Sequence, residues 1–171
     1  MSLQPFDDKT TPMCLRSVEG WLELGNVDEA DRELTRIGER DASHPDVLTV
    51  RWSVLAAAER WDEAHGVAER HSQVAPMDER AVVNQAYAMR RKADGSLALA
   101  QVVLLRAWPN FPESVLIPYN LACYNCQSDD LESALLYLRH AVENGDEKAV
   151  LAMAKKDPDL EPLQASLDHL A

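Results

Sequence analysis

The apolar residues of this chain recur at intervals of three and four, the spacing of one face of an α-helix. No segment sustains the alternation of apolar and polar residues that is typical of a half-buried strand. Capping residues (Asn, Asp, Ser) and prolines divide the pattern into short segments. The pattern predicts helices over 12–25, 27–41, 45–59, 61–74, 78–93, 95–108, 114–127, 130–143, 146–156 and 160–170. Asn144-Gly145 predicts a left-handed stop after the eighth helix.

The predicted helices form pairs, and the second helix of each pair carries an alanine near its start. The four alanines are Ala30, Ala64, Ala98 and Ala134, so two intervals are 34 residues and the last is 36 residues. We assign the two extra residues to the junction "RAWPNFPES" at 106–114. A small residue that recurs with this period predicts helical hairpins that cross closely and stack on one another.

These units resemble the tetratricopeptide repeat (TPR) family. In the fourth unit, the family's preferred residues are present as Leu121, Ala122, Ala134, Leu138 and Ala141. The segment 152–170 resembles the terminal helices that close many bacterial TPR arrays. The resemblance implies an all-α, right-handed α-solenoid of about four helix-turn-helix repeats with C-terminal capping helices. We expect a flexible tail at 1–11, a repeat array at 12–144 (repeats about 12–44, 45–78, 79–112 and 113–144) and capping helices at 145–171.

TPR arrays bind peptides or partner proteins in a concave groove that is lined by the first helix of each repeat. Within the third and fourth units, the family's groove positions form stripes with helical spacing. The resemblance therefore implies these partner-binding residues: Arg80, Asn84, Tyr87, Arg91, Tyr119, Asn120, Cys123 and Gln127. The lysine–asparagine clamp of heat-shock co-chaperones is missing, because the matching positions hold Leu15 and Glu19, Thr49 and Ser53, Val83 and Tyr87, and Tyr119 and Cys123.

Charge narrows the class of partner. The net charge is −12, with 29 acidic and 17 basic residues, which argues against nonspecific binding to nucleic acid or to an anionic membrane. Residues 76–112, however, hold five basic and three acidic residues. Because arginine can bind a carboxylate in a bidentate manner, this segment predicts a partner with an acidic segment or a C-terminal carboxylate. Alternatively, Arg90, Arg91 and Lys92 complement the negative end of their own helix, and both roles can hold.

Cys123 and Cys126 form a C-x-x-C motif within a predicted helix. Their Cβ atoms would be about 5–6 Å apart, too far for an undistorted disulfide. Redox motifs of this kind lie at helix N-termini, and a zinc site needs two more ligands at matching spacing. We interpret the pair as packing residues, with a metal or redox site as the alternative. We likewise interpret His65 and His71 as packed or solvated, and we predict no cofactor or metal.

The sequence contains no phosphate-binding loop, G-x-S-x-G motif or H-E-x-x-H motif. Its three cysteines are typical of a reducing cytoplasm, and the N-terminus does not have the pattern of a signal peptide. We predict a non-catalytic cytoplasmic adaptor that binds a peptide or partner protein. The alternative is a chaperone for a secretion or assembly substrate. The sequence leaves the partner's identity and the oligomeric state open.

Overall fold

The computed structural model describes residues 5–167. All regular elements in this range are helical, so the predicted all-α fold class is confirmed. Residues 1–4 of the predicted tail and 168–171 of the predicted capping helices lie outside the described residues. The α-helices are Thr11–Glu23 (α1), Val27–Leu34 (α2), Pro45–Ala57 (α3), Trp61–Val74 (α4), Glu79–Met89 (α5), Leu97–Ala107 (α6), Leu116–Gln127 (α7), Leu131–Asn144 (α8), Glu147–Ala154 (α9) and Gln164–Leu167 (α10). Two 3-10 helices cover Trp108–Asn110 and Pro158–Leu163.

The chain divides into two compact units, Met1–Asp94 and Gly95–Ala171. In the first unit, α1 pairs with α2 and α3 pairs with α4, while α5 packs on both α3 and α4. In the second unit, α7 packs on α6, on α8 and on the 3-10 helix Pro158–Leu163. None of the helices within residues 5–167 has both the length and the apolar character needed to cross a lipid bilayer.

Three of the turns between paired helices share one backbone conformation. Each has three residues, and its middle residue has a positive φ: Gly25 (71°), Glu59 (55°) and Asp129 (59°). The next N–H in each turn donates to a carbonyl five residues earlier, as in a Schellman motif. These bonds are Asn26 to Trp21 at 2.8 Å, Arg60 to Leu55 at 2.9 Å and Asp130 to Asn125 at 3.0 Å. The motif satisfies carbonyls that the ends of α1, α3 and α7 would otherwise leave unpaired.

The turn between α5 and α6 is different, because it has seven residues, 90–96, and none of them has a positive φ. The boundary between the two compact units also falls in this turn. The sequence-based assignment of the extra residues to 106–114 is wrong, because the buried alanine of α6 is Ala100, which lies 36 residues after Ala64 and 34 residues before Ala134. Ser96 caps α6 by accepting the Leu99 N–H at 3.2 Å, so α6 begins two residues later than the prediction of 95–108.

This shift changes which alanine of the third unit is buried. Ala30, Ala64 and Ala134 are fully buried, as a close helix crossing requires, but Ala98 is exposed and Ala100 is fully buried instead. Each buried alanine follows the N-cap residue of its helix by four positions, and the caps are Asn26, Arg60, Ser96 and Asp130. The distance from the cap thus sets the register, and the extra turn residues move the cap.

Several predicted helix bounds differ from the structure: the predicted helix 78–93 ends at Met89, and the predicted helix 160–170 begins as part of the 3-10 helix Pro158–Leu163. Two further differences have clear physical causes. The predicted helix 27–41 ends at Leu34, because the turns that follow bury Ile37 and Asp41. Gly145 ends α8 with an extended backbone (φ −116°, ψ −174°), so the predicted left-handed stop is wrong. A Cβ at Gly145 would lie 3.0 Å from Val150 Cγ2 and 3.1 Å from Val115 Cγ2. The glycine is needed there because neighbouring side chains approach the backbone closely.

His71 on α4 is a buried histidine that predicts a pH dependence of stability. Burial lowers the pKa of its imidazole, and the Asp78 carboxylate, 3.2 Å from Nε2, only partly opposes this. Because the folded pKa lies below the unfolded value near 6.5, the unfolded chain binds more protons as the pH falls. We expect the free energy of unfolding to decline from about pH 6.5 down to the folded pKa. Urea unfolding at several pH values should show His71→Gln losing this component, and His65→Gln on the same helix should retain it.

Candidate partner-binding surface

The predicted site begins at the start of α5, where Arg80 is held by the residue that caps the helix. The Asp78 carboxylate accepts the Arg80 backbone N–H at 3.1 Å. It also accepts Nε at 2.9 Å and Nη2 at 2.7 Å from the Arg80 guanidinium. Although burial opposes it, this pairing holds the pKa of the Asp78 carboxyl below its ordinary value. The Arg80 side chain remains 48% exposed, so it can still contact a partner.

About two and three helical turns after Arg80, Tyr87 and Arg91 form a stacked pair. The Arg91 Cζ lies 3.5 Å from the centroid of the Tyr87 ring and 5.3 Å from that of Trp61. The centroid of the Tyr87 ring also lies 5.8 Å from that of Trp52, in an edge-on arrangement, and 5.9 Å from that of Trp61. All four side chains are half-buried. We refer to Trp52, Trp61, Tyr87 and Arg91 as the aromatic platform.

The aromatic platform depends on both local spacing and packing. Tyr87 and Arg91 are four residues apart along one stripe, so the sequence places them side by side. Trp52 on α3 and Trp61 at the start of α4 reach them because α5 packs on both helices. Both tryptophans also pack partly against Leu55 and the α5 residue Ala88. The two contacts of Tyr87 with the tryptophans join residues at least 26 positions apart in the sequence, so the spacing along α5 alone does not contain them.

Arg91 also serves the end of its own helix, as the alternative interpretation predicted. Its Nη1 donates to the Tyr87 carbonyl at 3.2 Å, one of the last carbonyls of α5. Arg90 is the C-cap residue, and the Lys92 ammonium pairs with Asp94 at 2.7 Å. Asn84 lies between Arg80 and Tyr87 on the stripe and is half-buried. Arg80, Arg91 and Lys92 therefore each pair with a carboxylate or carbonyl that is close in the sequence. The Arg80 side chain is also partly exposed.

The predicted residues of α7 lie in the second unit. Tyr119 and Cys123 are only 6% and 5% exposed. The Tyr119 hydroxyl donates to Asp157 Oδ2 at 3.0 Å, and the Cys123 thiol lies 3.7 Å from the same oxygen. Burial, followed by the charge of Asp157, raises the pKa of Tyr119. A partner would reach these two side chains only if the segment that begins at Asp157 moved.

The other two predicted residues of α7 are more accessible. Asn120 is half-buried and its Nδ2 donates to the Leu116 carbonyl of its own helix at 2.9 Å, while Gln127 is exposed. The structure thus has Arg80, Asn84 and Tyr87 on α5 and Arg91 two residues beyond its end, and it separates the predicted residues of α7 into a buried pair and an accessible pair. That the eight residues form one partner-binding surface stays a prediction.

Comparisons with known proteins support the fold. No protein-family model matches this chain, and no curated protein matches it. Among solved structures, "MamA RS-1 ArsTM double mutant" is 20% identical with a TM-score of 0.63, and the match covers 82% of this chain and 79% of that chain. "MamA 41-end from Desulfovibrio magneticus RS-1" is 18% identical with a TM-score of 0.48, covering 80% of this chain and 96% of that chain. MamA is a TPR-repeat protein, and the first likeness shows a TPR-like fold for this chain.

Proposed function

Starting from the TPR-like fold, we propose that this protein is a non-catalytic interaction module that binds a peptide or partner protein. Stacked helical hairpins present extended surfaces, which is the common use of repeat folds. In the first unit, α1 neighbours α3 and α3 neighbours α5, so the first helices of the hairpins form one layer. The proposed contact residues on this layer are Arg80, Asn84, Tyr87 and Arg91, and those of α7 form a separate set.

The observation that carries this proposal is the aromatic platform. Tryptophan, tyrosine and arginine are the residues most enriched among binding hot spots. They supply a large contact area at a low cost in conformational entropy, and here each ring is already held by its neighbours. Because the four side chains are half-buried, they retain accessible surface that a partner can cover.

Charge suggests the chemistry of the partner. Arg80 presents an exposed guanidinium at one end of the α5 stripe, and Arg91 lies over Tyr87 toward the other end. A guanidinium has five N–H donors, so it can bind the carboxylate of a partner while it keeps a bond to a neighbouring group. We therefore propose that the partner contributes an acidic segment or a C-terminal carboxylate.

The test compares defined peptides on the wild type and on an Arg80→Glu, Arg91→Glu double variant. The probes are a fluorescent peptide panel with acidic C-termini and the same panel with Gln and Asn in place of the acids and amidated ends. We expect the double variant to bind acidic peptides at least tenfold more weakly, about 1.4 kcal/mol, because repulsion replaces two attractions. Fluorescence anisotropy measures the affinity, and circular dichroism checks that the variant is folded.

The matched control is Arg40→Glu, Arg106→Glu, which makes the same change in net charge at two exposed arginines that are not among the proposed contact residues. This control should keep the wild-type affinity apart from a weak, salt-dependent loss. Equal binding of acidic and amidated panels by the wild type would contradict the acidic-partner proposal. Equal losses in both double variants would mean that only net charge matters.

A chaperone for an apolar substrate is the second candidate, and an apolar face of α6 favours it. Leu99, Val102 and Leu105 are 46%, 39% and 43% exposed and recur every three residues along one side of this helix. Exposed apolar side chains in a row are typical of a surface that a partner covers. Under this function, Leu99→Gln with Leu105→Gln would abolish binding of apolar peptides, while the Arg80→Glu, Arg91→Glu variant would bind them normally.

A further inference from the structure

A buried histidine faces the carboxylate that holds Arg80. His71 on α4 is 1% exposed, and its Nε2 lies 3.2 Å from Asp78 Oδ2. The same oxygen accepts the Arg80 Nη2 at 2.7 Å, while Asp78 Oδ1 accepts the Arg80 Nε at 2.9 Å. One carboxylate therefore lies between an imidazole that can gain a positive charge and a guanidinium that is one of the proposed contact residues.

The Asp78 carboxylate competes with the proposed acidic partner. It takes two N–H donors of the Arg80 guanidinium in the bidentate manner that a carboxylate of a partner would use. A partner that binds the same two donors must displace Asp78, and one that binds the remaining donors is repelled by the Asp78 charge. In both cases the internal pair lowers the affinity for an acidic partner.

The two cationic side chains beside Asp78 differ in their freedom to move. The His71 ring is buried on α4 and is held in place by its packing, whereas the Arg80 side chain is 48% exposed. An ion pair at this exposure contributes little to stability, so Arg80 can turn into solvent at a small cost. If His71 gains a proton, Arg80 is therefore the group that leaves Asp78.

The charged groups that act on His71 come from three elements. Burial has the largest effect and lowers the pKa of the imidazole. The carboxylates of Asp78 and of Asp46 on α3 raise this pKa, and the Arg80 guanidinium on α5 lowers it. Because coupling between two sites is reciprocal, protonation of His71 must in turn weaken the hold of Asp78 on Arg80.

We propose that protonation of His71 transfers the Asp78 carboxylate from Arg80 to the imidazolium and so frees Arg80 for an acidic partner. The inference rests on the proposed function, since it describes how pH regulates the α5 stripe. The proton comes from solvent, so binding of an acidic partner takes up protons. The pKa of His71 is lowered in the free protein, and the affinity should therefore rise as the pH falls below about 6.5.

The first test follows His71 in the full chain with and without an acidic peptide of the panel described above. The Cε1–H signal in NMR spectra, assigned with His71→Gln, gives the midpoint of the imidazole titration. We expect saturating acidic peptide to raise this midpoint by about 0.5 pH unit. The matching gain in affinity on protonation is about threefold, which is the size of effect expected from one partly exposed ion pair.

Variants separate the two partners of the carboxylate. His71→Gln should bind the acidic peptide equally well above and below the wild-type midpoint, while His65→Gln, at a second buried histidine of α4, should keep the wild-type pH dependence. Asp78→Asn retains a side chain that can cap α5, and it should bind the peptide about threefold more tightly at pH 7.5. Circular dichroism checks that each variant is folded at both pH values.

One measurement needs no peptide. Arg80→Gln should raise the His71 midpoint in the free protein, whereas Arg106→Gln, at an exposed arginine of the second unit, should leave it unchanged. An unchanged midpoint in Arg80→Gln, or with saturating acidic peptide, would overturn this inference even where acidic peptides bind in preference to amidated ones. Equal binding of both panels above and below the midpoint would overturn the proposed function, and this inference with it.

Discussion

Replacing Asp41 by alanine is expected to lower the free energy of unfolding by about 3 kcal/mol. The Asp41 carboxylate is buried and accepts three hydrogen bonds, from the Asp7 N–H at 2.8 Å, the Asp8 N–H at 3.0 Å and the Thr11 hydroxyl at 2.6 Å. These bonds fasten the segment that precedes α1 to the turns that follow α2. A hydrogen bond to a charged acceptor contributes more than a neutral one, and alanine would leave three donors without their acceptor.

Urea unfolding followed by circular dichroism measures this loss, and Glu39→Ala, an exposed acid two residues away, is the control. The Glu39 variant should differ from the wild type by less than about 0.5 kcal/mol. A loss in Asp41→Ala no larger than that of the control would show that the segment is fastened by its apolar contacts alone.

The effect of Asp41 should also depend on pH. Burial alone would raise the pKa of this carboxyl, but the hydrogen bonds from Thr11, Asp7 and Asp8 lower it below its ordinary value. A depressed folded pKa means that the stabilisation is complete above the unfolded pKa near 3.9 and is lost as the pH falls through the folded pKa. The difference between wild type and Asp41→Ala should therefore be full at pH 7 and should shrink below about pH 4. A difference that is constant down to pH 2 would contradict this account.

Ala100→Leu is expected to destabilise the protein by about 1–3 kcal/mol, whereas Ala98→Leu should change stability by less than about 0.5 kcal/mol. Ala100 is fully buried where α6 packs on α7, and the added atoms would force neighbouring side chains or backbone to shift. Ala98 is exposed two residues earlier on the same helix. The pair makes the same chemical change at two positions that differ in burial.

This comparison distinguishes two registers for the third repeat. The interval of 34 residues from Ala64 indicates Ala98 as the alanine of the helix crossing, whereas the cap at Ser96 indicates Ala100. Both variants are measured by urea unfolding, and helix content before unfolding confirms that each folds. A larger loss in Ala98→Leu than in Ala100→Leu would restore the register indicated by the sequence interval.

Much of the fold could be predicted from the sequence, because helix starts depend on residues close together in the chain. Helix α3 begins at Pro45 after its cap His44, and α5 begins directly after its cap Asp78. Both starts lie within one residue of the predicted starts. The end of α2 could not be predicted in this way. Segment 35–41 has a helical pattern, but Ile37 and Asp41 are used in contacts with α1 and with the residues before it.

The candidate surface on α5 was predictable in part. Helical spacing aligned Arg80, Asn84, Tyr87 and Arg91; the structure has the first three on α5 and Arg91 two residues beyond its end. Helical spacing could not show that Trp52 and Trp61 would flank Tyr87, because those contacts depend on how α3 and α4 pack against α5. Nor could it show that Tyr119 and Cys123 would be covered by the segment that begins at Asp157.

The sequence by itself determined that the chain forms paired helices and which small residues lie at three of the four crossings, Ala30, Ala64 and Ala134, because these features follow from periodicity and from capping interactions within about four residues. Only the tertiary structure decided the role of Asp41 and the surroundings of Cys123. Each of these depends on groups far apart in the chain, such as Asp41 with Thr11 and Cys123 with Asp157. A contact of this kind is specified by the packing of whole helices, and no local pattern contains it.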